Sequence, residues 1–485
     1  MQIDEFPGLQ VDDFRIRETQ PQLSLCLLTH MHSDHLSGLE RLSYHSPPVY
    51  CSAATRAMVL NLRHNNGDGP LKYHHLRKEG GGIEILQALD VGIPHQLTCQ
   101  SRTVQVTLIP TVHCPGATMF LVDDGNTAIL FTGDIRCEAW HVNALSHHPA
   151  LLPFTLGQAI SLYVDNTFEQ HDNPDQHYDE NSVGVAELLA TIDSDNTKYP
   201  DNIHFALVAS STGYEEALIA LALRFQTKIH LDSYYYHCYM AAADTCPLAR
   251  QIIGLSTINP ASARVHWCRK GHCENRDGPL TIYLSPRVTM SQSDIDERNR
   301  KLDIRDFPGG TYNEQTLFVH TESAIRYVLS QDGHTLLPGH IYFKFSRHAS
   351  LPELVHFKAM FPACTVKSLA GEPIPQLDPD AVVQLKIYRK KAWSTPVTAV
   401  KRKMSVHSST ESNGDILDFL HQQAQESSLS TPPASPRKDS VRTAEPSIES
   451  TSNESKVLEE TLRNNLDEWF NLKFDWKNSP IYGYK

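Results

Sequence analysis

Residues 29–35 read Thr-His-Met-His-Ser-Asp-His, directly after the apolar run of residues 23–28. Three imidazoles and a carboxylate this close together form a dense set of metal ligands, and they lie where a buried strand is expected to end. Because side chains alternate along a strand, His30 and His32 are expected to face one ion, while Asp34 reaches a second. Two such ions typically lie roughly 3.5–4 Å apart. A polar loop with chance histidines is the alternative.

Two later strands are predicted to end in ligands as well. His113 follows the alternating segment 104–108 and opens a His-Cys-Pro-Gly turn. Asp134 ends the run of residues 127–133, which is predicted to pair with residues 119–122 across an Asp-Asp-Gly-Asn turn. Each signal is weak when taken alone, but together they repeat the pattern of ligands at strand ends. The sequence therefore predicts a two-metal site at one edge of a sheet.

The order and spacing of these residues resemble the motifs of the metallo-β-lactamase fold, over about residues 10–370. The sequence around them is similar to that of the β-CASP DNA-processing nucleases, in the SNM/Artemis branch. Three later residues match the β-CASP motifs in order. The matching positions are Asp12, His30, His32, Asp34, His35, His113, Asp134, Asp165, His266 and His348.

The resemblance implies an α/β fold, in which a metallo-β-lactamase αββα sandwich carries an inserted α/β β-CASP domain. A strand, helix and strand pattern over residues 203–232 agrees, because a βαβ unit implies a parallel sheet. The expected bounds are 1–160 for the first part of the sandwich, 161–318 for the β-CASP domain, 319–395 for the return segment, 396–456 for a disordered linker and 457–485 for an amphipathic C-terminal helix.

The resemblance also implies roles for the site residues. One metal is expected to be held by His30, His32, His113 and Asp134, and the other by Asp34, His35, Asp134 and His348. Asp12 is expected to orient a ligand or water, and Asp165 to shape the cleft without coordinating. The catalytic set is thus Asp12, Asp34, Asp134 and Asp165. The expected active-site cofactor is Zn²⁺, in one or two copies, with Mg²⁺ or Mn²⁺ as options at the second position.

A separate structural zinc site is expected in the inserted domain. Two imidazoles and two thiolates make a complete tetrahedral set of zinc ligands. The resemblance implies three of them, His230, His266 and Cys268. The candidate ligands are His230, His266, Cys268 and Cys273. His272 is an alternative fourth ligand, and a histidine and cysteine loop without metal is the plain alternative.

The turn Ser211-Thr212-Gly213 precedes the helix predicted at residues 215–225. Amides at a helix N-terminus can bind a phosphate, so these three residues are candidate phosphate-binding residues. An ordinary N-cap that needs no ligand is an equally good interpretation.

Composition is compatible with a nuclease found inside the cell. The 485 residues are 40% apolar, without a run long enough to span a membrane, and the ten cysteines form no compact disulfide framework. The N-terminus has no signal-peptide pattern, so a nuclear protein without membrane association is expected. A net charge of −13 does not exclude nucleic acid, because a local basic groove is what binds phosphate.

Beyond residue 370 the sequence has few structural signals. Residues 389–391 and 401–403 are basic and resemble a weak bipartite nuclear signal, although a solvated strand edge fits equally well. Residues 405–456 have the composition of a phosphorylatable linker. The final segment carries one helical apolar stripe, which is expected to dock on the protein itself or on a repair-complex partner. The stripe consists of Leu458, Leu462, Leu466, Trp469 and Phe470.

The expected function is a metal-dependent DNA nuclease that uses a metal-activated water in double-strand-break or crosslink repair. An RNA-processing β-CASP nuclease and a catalytically silent scaffold of the same fold are the alternatives. Endonuclease and 5′-exonuclease activity both remain open. Ser33 is the residue that the exonuclease relatives have where Artemis carries lysine, and it puts hairpin opening in doubt.

Overall fold

The computed structural model describes residues 1–15, 22–77, 84–170, 176–193, 199–209, 211–306, 311–312, 317–319, 326–369 and 374. All of them lie in one compact unit, Met1–Lys386. The linker and C-terminal helix that the sequence predicts lie outside the described residues. None of the described helices is long and apolar enough to cross a membrane.

The secondary structure alternates between short strands and short helices. The strands are β1 Leu9–Val11, β2 Leu25–Leu27, β3 Val49–Ser52, β4 Leu86–Leu89, β5 Pro94–Cys99, β6 Arg102–Pro110, β7 Thr118–Asp123, β8 Ala128–Phe131, β9 Ile160–Val164, β10 His204–Leu207, β11 Lys228–Leu231, β12 Ser256–Thr257, β13 Ala263–Trp267, β14 Thr281–Pro286, β15 Leu302–Asp303, β16 Thr311–Tyr312, β17 Leu317–Val319, β18 Arg326–Leu329, β19 Thr335–Pro338, β20 His340–Phe343 and β21 Cys364–Ser368. The helices are α1 Ala53–Val59, α2 Ala139–Ser146, α3 Leu152–Thr155, α4 Asn181–Asp193, α5 Glu215–Arg224, α6 Ser233–Ala242, α7 Pro247–Leu255, α8 Glu274–Asp277, α9 Gln292–Arg298 and α10 Leu351–Ala359.

Two sheets form a sandwich that is covered by helices on both sides. One has the order β1-β2-β3-β4 and the other β21-β9-β8-β7-β6-β5. Their facing side chains share one buried core, to which Leu25 and Leu27 contribute from one sheet and Val106 and Phe120 from the other. Helix α1 packs on the outer face of the first sheet, and α2 and α10 pack on the outer face of the second. This is the predicted αββα sandwich.

The insertion folds around a parallel sheet with the order β12-β11-β13-β10-β14-β20. The predicted strand, helix and strand correspond to β10, α5 and β11, with β13 lying between the two strands. Strand β20 pairs with β14 through Tyr283 and His340. The insertion's sheet therefore includes a strand from the segment 319–395 that the sequence analysis assigned to the return; the domain bounds stay predictions.

The topology brings several strand ends to one place. The loops after β1 and β2 supply Asp12 and residues 29–35, and the loops after β8 and β9 supply Asp134 and Asp165. Within each of these two pairs the neighbouring strands are parallel, so their carboxyl ends lie at the same edge of the sheet. The loop after β20 of the insertion ends at the same site with His348.

Candidate active site

Three histidines converge at the centre of the site. The Nε2 atoms of His30 and His113 each lie 2.9 Å from Nδ1 of His32. Burial lowers the pKa of His30 and of His113 well below the usual value, and it lowers that of His32 to about 3. The rings are therefore neutral. Asp134 adds a carboxylate oxygen 3.4 Å from His113 Nε2, so four donors of the type that bind a divalent metal face one point.

Outward hydrogen bonds fix the tautomers of two of these rings. Nδ1 of His30 lies 2.9 Å from the hydroxyl of Thr29, which itself donates to Asp12 at 2.6 Å. The Thr29 oxygen is therefore the acceptor for His30. Nδ1 of His113 donates in the same way to the carbonyl of Arg347 at 3.0 Å. Both rings then keep an Nε2 lone pair for a metal ion.

The third ring is oriented by the insertion. Nε2 of His32 lies 3.0 Å from the hydroxyl and 3.2 Å from the carbonyl of Thr212, 180 residues away in the sequence. A proton on Nε2 leaves Nδ1 as the lone pair that faces His30 and His113. Thr212 is almost fully buried, so this contact is part of the packing between the insertion and the sandwich.

A second group consists of Asp34, His35 and Asp134. Nε2 of His35 lies 3.2 Å from Asp134 and 3.5 Å from Asp34, while its Nδ1 lies 2.8 Å from Asp12. Burial by itself would lower the pKa of His35, but the surrounding carboxylates, Asp12 foremost, raise it. The side chain of Asp34 is 74% exposed, so this part of the site opens to solvent.

Asp12 connects the two groups through an unusual backbone conformation. Its φ of 57° is in the left-handed region, which costs a non-glycine residue energy and is often found at functional sites. The backbone N–H and hydroxyl of Thr29 hold its carboxylate at 2.8 and 2.6 Å. Asp12 therefore contacts His35 directly and His30 through Thr29, and its orienting role stays a prediction.

A third group consists of Asp134, Asp165 and His348. Nδ1 of His348 lies 2.8 Å from Asp165 and 3.9 Å from Asp134. Asp165 was expected to stay outside the coordination spheres, and His348 was expected beside Asp34 and His35. The structure instead brings Asp165 and His348 together, so how they divide between ligand and support stays a prediction. Asp134 contributes to all three groups.

Arg136 supports this third group, and the sequence analysis gave it no role. Its guanidinium is fully buried and donates to Glu353 at 2.6 Å and to the carbonyl of His348 at 3.3 Å. A second nitrogen donates to the carbonyl of Asp179 at 2.8 Å. A cation two residues after Asp134 was the available signal, but the partners His348, Glu353 and Asp179 are more than 40 residues away in the sequence.

The proposed phosphate-binding turn is already engaged by the protein. The amide of Gly213 donates to both oxygens of Glu215 at 3.0 and 3.1 Å, and Thr212 contacts His32. Ser211 accepts a hydrogen bond from Arg347 at 2.8 Å. Gly213 has a φ of 113°, and a Cβ there would lie 2.5 Å from the carbonyl of His113. The N-cap of α5 is Tyr214, without a side-chain cap hydrogen bond, so neither Ser211 nor Thr212 caps the helix, and the phosphate role stays a prediction.

A separate cluster, which we call the insertion cluster, lies within the inserted domain. Its four residues offer ligand atoms within 4.8 Å of one another, and all are buried: His230, His266, Cys268 and Cys273. Nδ1 of His266 lies 3.3 Å from Nδ1 of His230 and 3.5 Å from Cys273 Sγ. The partly exposed His272 instead faces Asp68. The thiol of Cys268 hydrogen-bonds Cys273 and lowers the pKa of that cysteine.

His204 is a member of this region that the sequence analysis missed. Its Nδ1 lies 2.9 Å from Nε2 of His266, so the outer nitrogen of a candidate ligand is occupied and Nδ1 is left for a metal. The two residues lie on neighbouring parallel strands, β10 and β13. Their proximity depends on strand order, which the sequence did not reveal.

Comparison with known proteins agrees with this geometry. Residues 4–150 match the family model of the metallo-beta-lactamase superfamily. Over 244 residues the chain is 27% identical to Protein artemis of Rattus norvegicus, with coverage of 48% of this chain and 32% of the relative. Over 213 residues it is 33% identical to 5′ exonuclease Apollo of the same species, with coverage of 43% and 33%. Residues 4–150 are thus similar to the metallo-beta-lactamase superfamily, and just under half of the chain is similar to Artemis and Apollo.

One solved structure that aligns with the chain is a protein of unknown function from Enterococcus faecalis V583. It aligns with a TM-score of 0.43 and 14% identity, over 73% of this chain and 77% of that one. The matched segments span about a third of the length of the curated relatives named above.

Proposed function

We propose that this protein is a metal-dependent nuclease that hydrolyses phosphodiester bonds in DNA. The observation that carries the proposal is a set of three ligand groups that share Asp134. Adjacent groups with a shared carboxylate are what a two-metal phosphodiesterase requires, because both ions must contact the same phosphate. The similarity to Artemis and Apollo supports DNA as the substrate.

The donor set indicates which residues would hold the ions. His30, His32, His113 and Asp134 form the nitrogen-rich group, which suits zinc. Asp134 with Asp34, His35, Asp165 and His348 forms the carboxylate-rich remainder, which also suits a harder ion. Bound divalent ions would supply an activated water and neutralise negative charge that develops on the phosphate.

The protein's own contribution is to keep each donor in one orientation and protonation state. Asp12 and Thr29 hold the outer nitrogens of His35 and His30, and Thr212 holds that of His32. The exposed Asp34 marks the side from which a nucleic-acid strand would approach. Fixed donors of this kind need no rearrangement during the reaction, which is how such sites gain most of their rate.

Three further assignments belong to this proposal. The insertion cluster would hold a structural Zn²⁺, since a buried set of two imidazoles and two thiols is typical of closed structural sites. The protein would act in the nucleus. Its C-terminal segment, which lies outside the described residues, would contact a repair-complex protein.

The test is a cleavage assay with matched substrates. Purified protein would be incubated with single-stranded, double-stranded and hairpin DNA of one sequence, with 5′-phosphate and 5′-hydroxyl ends, and with the equivalent RNA. We expect cleavage of DNA that requires added metal and that Asp134→Asn abolishes. Preferential cleavage of RNA would favour the RNA-processing alternative, and no cleavage of any substrate by metal-loaded protein would favour the scaffold.

The substrates with different 5′ ends also distinguish exonuclease from endonuclease activity. Dependence on a free 5′ end would indicate an exonuclease, in line with the similarity to 5′ exonuclease Apollo and with Ser33. Nicking of hairpin DNA would indicate an endonuclease, as an alternative that the described geometry leaves open.

A further inference from the structure

Arg347 lies directly beside the histidine centre. Its carbonyl accepts the hydrogen bond from His113, and one guanidinium nitrogen, Nη1, lies 3.3 Å from Nε2 of His32. The residue immediately precedes His348 in the chain. A permanent positive charge therefore sits among the residues that would bind cations.

No carboxylate within the described ranges forms an ion pair with Arg347. Nη1 donates to two neutral oxygens, the hydroxyl of Ser211 and the carbonyl of Thr212, each at 2.8 Å. The neighbouring Glu215 accepts a hydrogen bond from the amide of Gly213, and burial raises the pKa of its carboxyl although the charge of Arg347 acts to lower it. By contrast, Arg136 in the same site pairs with Glu353 at 2.6 Å.

The charge balance of the site makes this cation significant. Four carboxylates surround the histidines, and together they would offset two divalent ions: Asp12, Asp34, Asp134 and Asp165. Arg347 would then be an excess positive charge beside occupied metal positions. An anion that enters the site would relieve this excess, and a phosphodiester carries the required single negative charge.

The side chain is also held in a suitable orientation. Its guanidinium lies over the ring of Tyr214, 5.1 Å from the ring centroid, and Ser211 and Thr212 fix one nitrogen. A planar guanidinium that is anchored in this way needs little further ordering to bind the oxygens of a phosphate. Arg347 is only partly buried, so a ligand can reach it.

We propose that Arg347 binds a backbone phosphate of the nucleic-acid substrate next to the metal centre and thereby positions the strand for cleavage. This inference rests on the proposed nuclease function. It extends the site from the sandwich into the insertion, because Ser211 and Thr212, which hold the guanidinium, belong to the inserted domain.

The test compares Arg347→Met and Arg347→Lys with a matched control, Arg224→Met. Arg224 also lies in the insertion, and Arg224→Met removes the same positive charge. Arg224 pairs with Asp193 and lies at the last residue of α5, about 14 Å along the helix from its first residue. Binding of fluorescent single-stranded DNA would be measured by anisotropy as a function of salt. Steady-state cleavage and metal content would be measured in parallel.

For Arg347→Met we expect affinity for DNA and kcat/KM to fall about ten- to a hundredfold, with unchanged metal content. The slope of log affinity against log salt concentration should decrease in magnitude by about 1, which corresponds to the loss of one phosphate contact. Arg347→Lys should recover part of the affinity, because it keeps the charge but not the planar fork. Arg224→Met should behave as wild type.

Neutral methylphosphonate linkages placed singly along the DNA would identify the contact. At one position the neutral linkage should weaken DNA binding by the wild-type protein but should not weaken binding by Arg347→Met any further. Three results would overturn the inference if the wild-type protein still cleaves DNA. Arg347→Met could bind DNA as tightly as wild type, both proteins could be equally sensitive to the neutral linkage at every position, or the variant could lose its metal. A wild-type protein that neither cleaves nor binds any nucleic acid would instead overturn the proposed function.

Discussion

The active-site residues come from the loops after β1, β2, β6, β8, β9 and β20, whereas the insertion cluster takes its residues from β11, β13 and the turn that follows β13. The first set is rich in carboxylates and includes the exposed Asp34; the second contains two thiols and is buried throughout. Catalytic metal sites keep an open position, while structural sites are closed. The two clusters therefore call for different experiments.

The largest effect is expected from Asp134, the residue common to all three active-site groups. Asp134→Asn keeps the shape of the side chain but removes the shared charge, so both metal positions lose affinity. We expect nuclease activity to fall more than about 10³-fold, with the melting temperature little changed. Cleavage assays and elemental analysis would measure the two effects.

The control for this prediction is Asp303→Asn, which removes a carboxylate from an exposed pair with Arg305. It should leave metal content and activity unchanged. If Asp134→Asn kept its metals and most of its activity, the three groups would not form the catalytic centre.

Cys268→Ser should have the opposite effect to Asp134→Asn: it should lower stability more than activity. Loss of one thiolate from a closed site should remove about one equivalent of zinc and lower the melting temperature by at least about 5 °C. The fraction that stays folded should still cleave, because the active-site ligands lie elsewhere. Differential scanning fluorimetry and elemental analysis would measure these changes.

Cys99→Ser is the matched control, since Cys99 is also buried but already hydrogen-bonds the carbonyl of Pro7 in a way that serine can reproduce. It should keep the full metal content. Equal zinc in Cys268→Ser and wild type would make the insertion cluster an ordinary set of buried side chains.

The comparison also separates what the sequence could predict from what it could not. Strands β2 and β8 are continuous apolar runs, and His30 and Asp134 each follow three residues after a strand ends, so local pattern was enough. The choice between His272 and Cys273 depended on how a short turn folds, and spacing alone left it open. The structure places Cys273 in the cluster and turns His272 towards Asp68.

The supporting hydrogen bonds could not be predicted in the same way. Thr212 meets His32 across 180 residues, and Arg347 meets it across 315. Such contacts exist only once two sheets have packed, and no local periodicity records them. The addition of β20 to the insertion's sheet has the same origin, because the pairing of Tyr283 with His340 is a long-range parallel contact.

Thr212→Val removes one such supporting contact from the open site. The valine keeps the volume but leaves Nε2 of His32 without the hydroxyl at 3.0 Å. Removal of an outer partner typically lowers metal affinity about ten- to a hundredfold, so higher metal concentrations should be needed for half-maximal activity. Thr212→Ser retains the hydroxyl and should need nearly the wild-type concentration.

Metal titrations of activity would measure this effect, and the zinc of the insertion cluster should be unchanged in both variants. Equal metal requirements for Thr212→Val and Thr212→Ser would mean that the carbonyl of Thr212 alone orients His32.

The smallest effect is expected for His204→Ala, the corresponding change at the closed site. Nδ1 of His204 lies 2.9 Å from Nε2 of His266, so the variant frees the outer nitrogen of one candidate ligand. Affinity for zinc should fall by about tenfold, but two thiolates keep the site saturated at ordinary concentrations. Zinc content should therefore match wild type, and the loss should appear only in competition with a chelator. If His204→Ala lost zinc without a chelator present, zinc binding by the insertion cluster would depend on its outer hydrogen bonds as strongly as metal binding in the active site does. Burial of the four ligands would then not be enough to explain why the cluster retains its zinc.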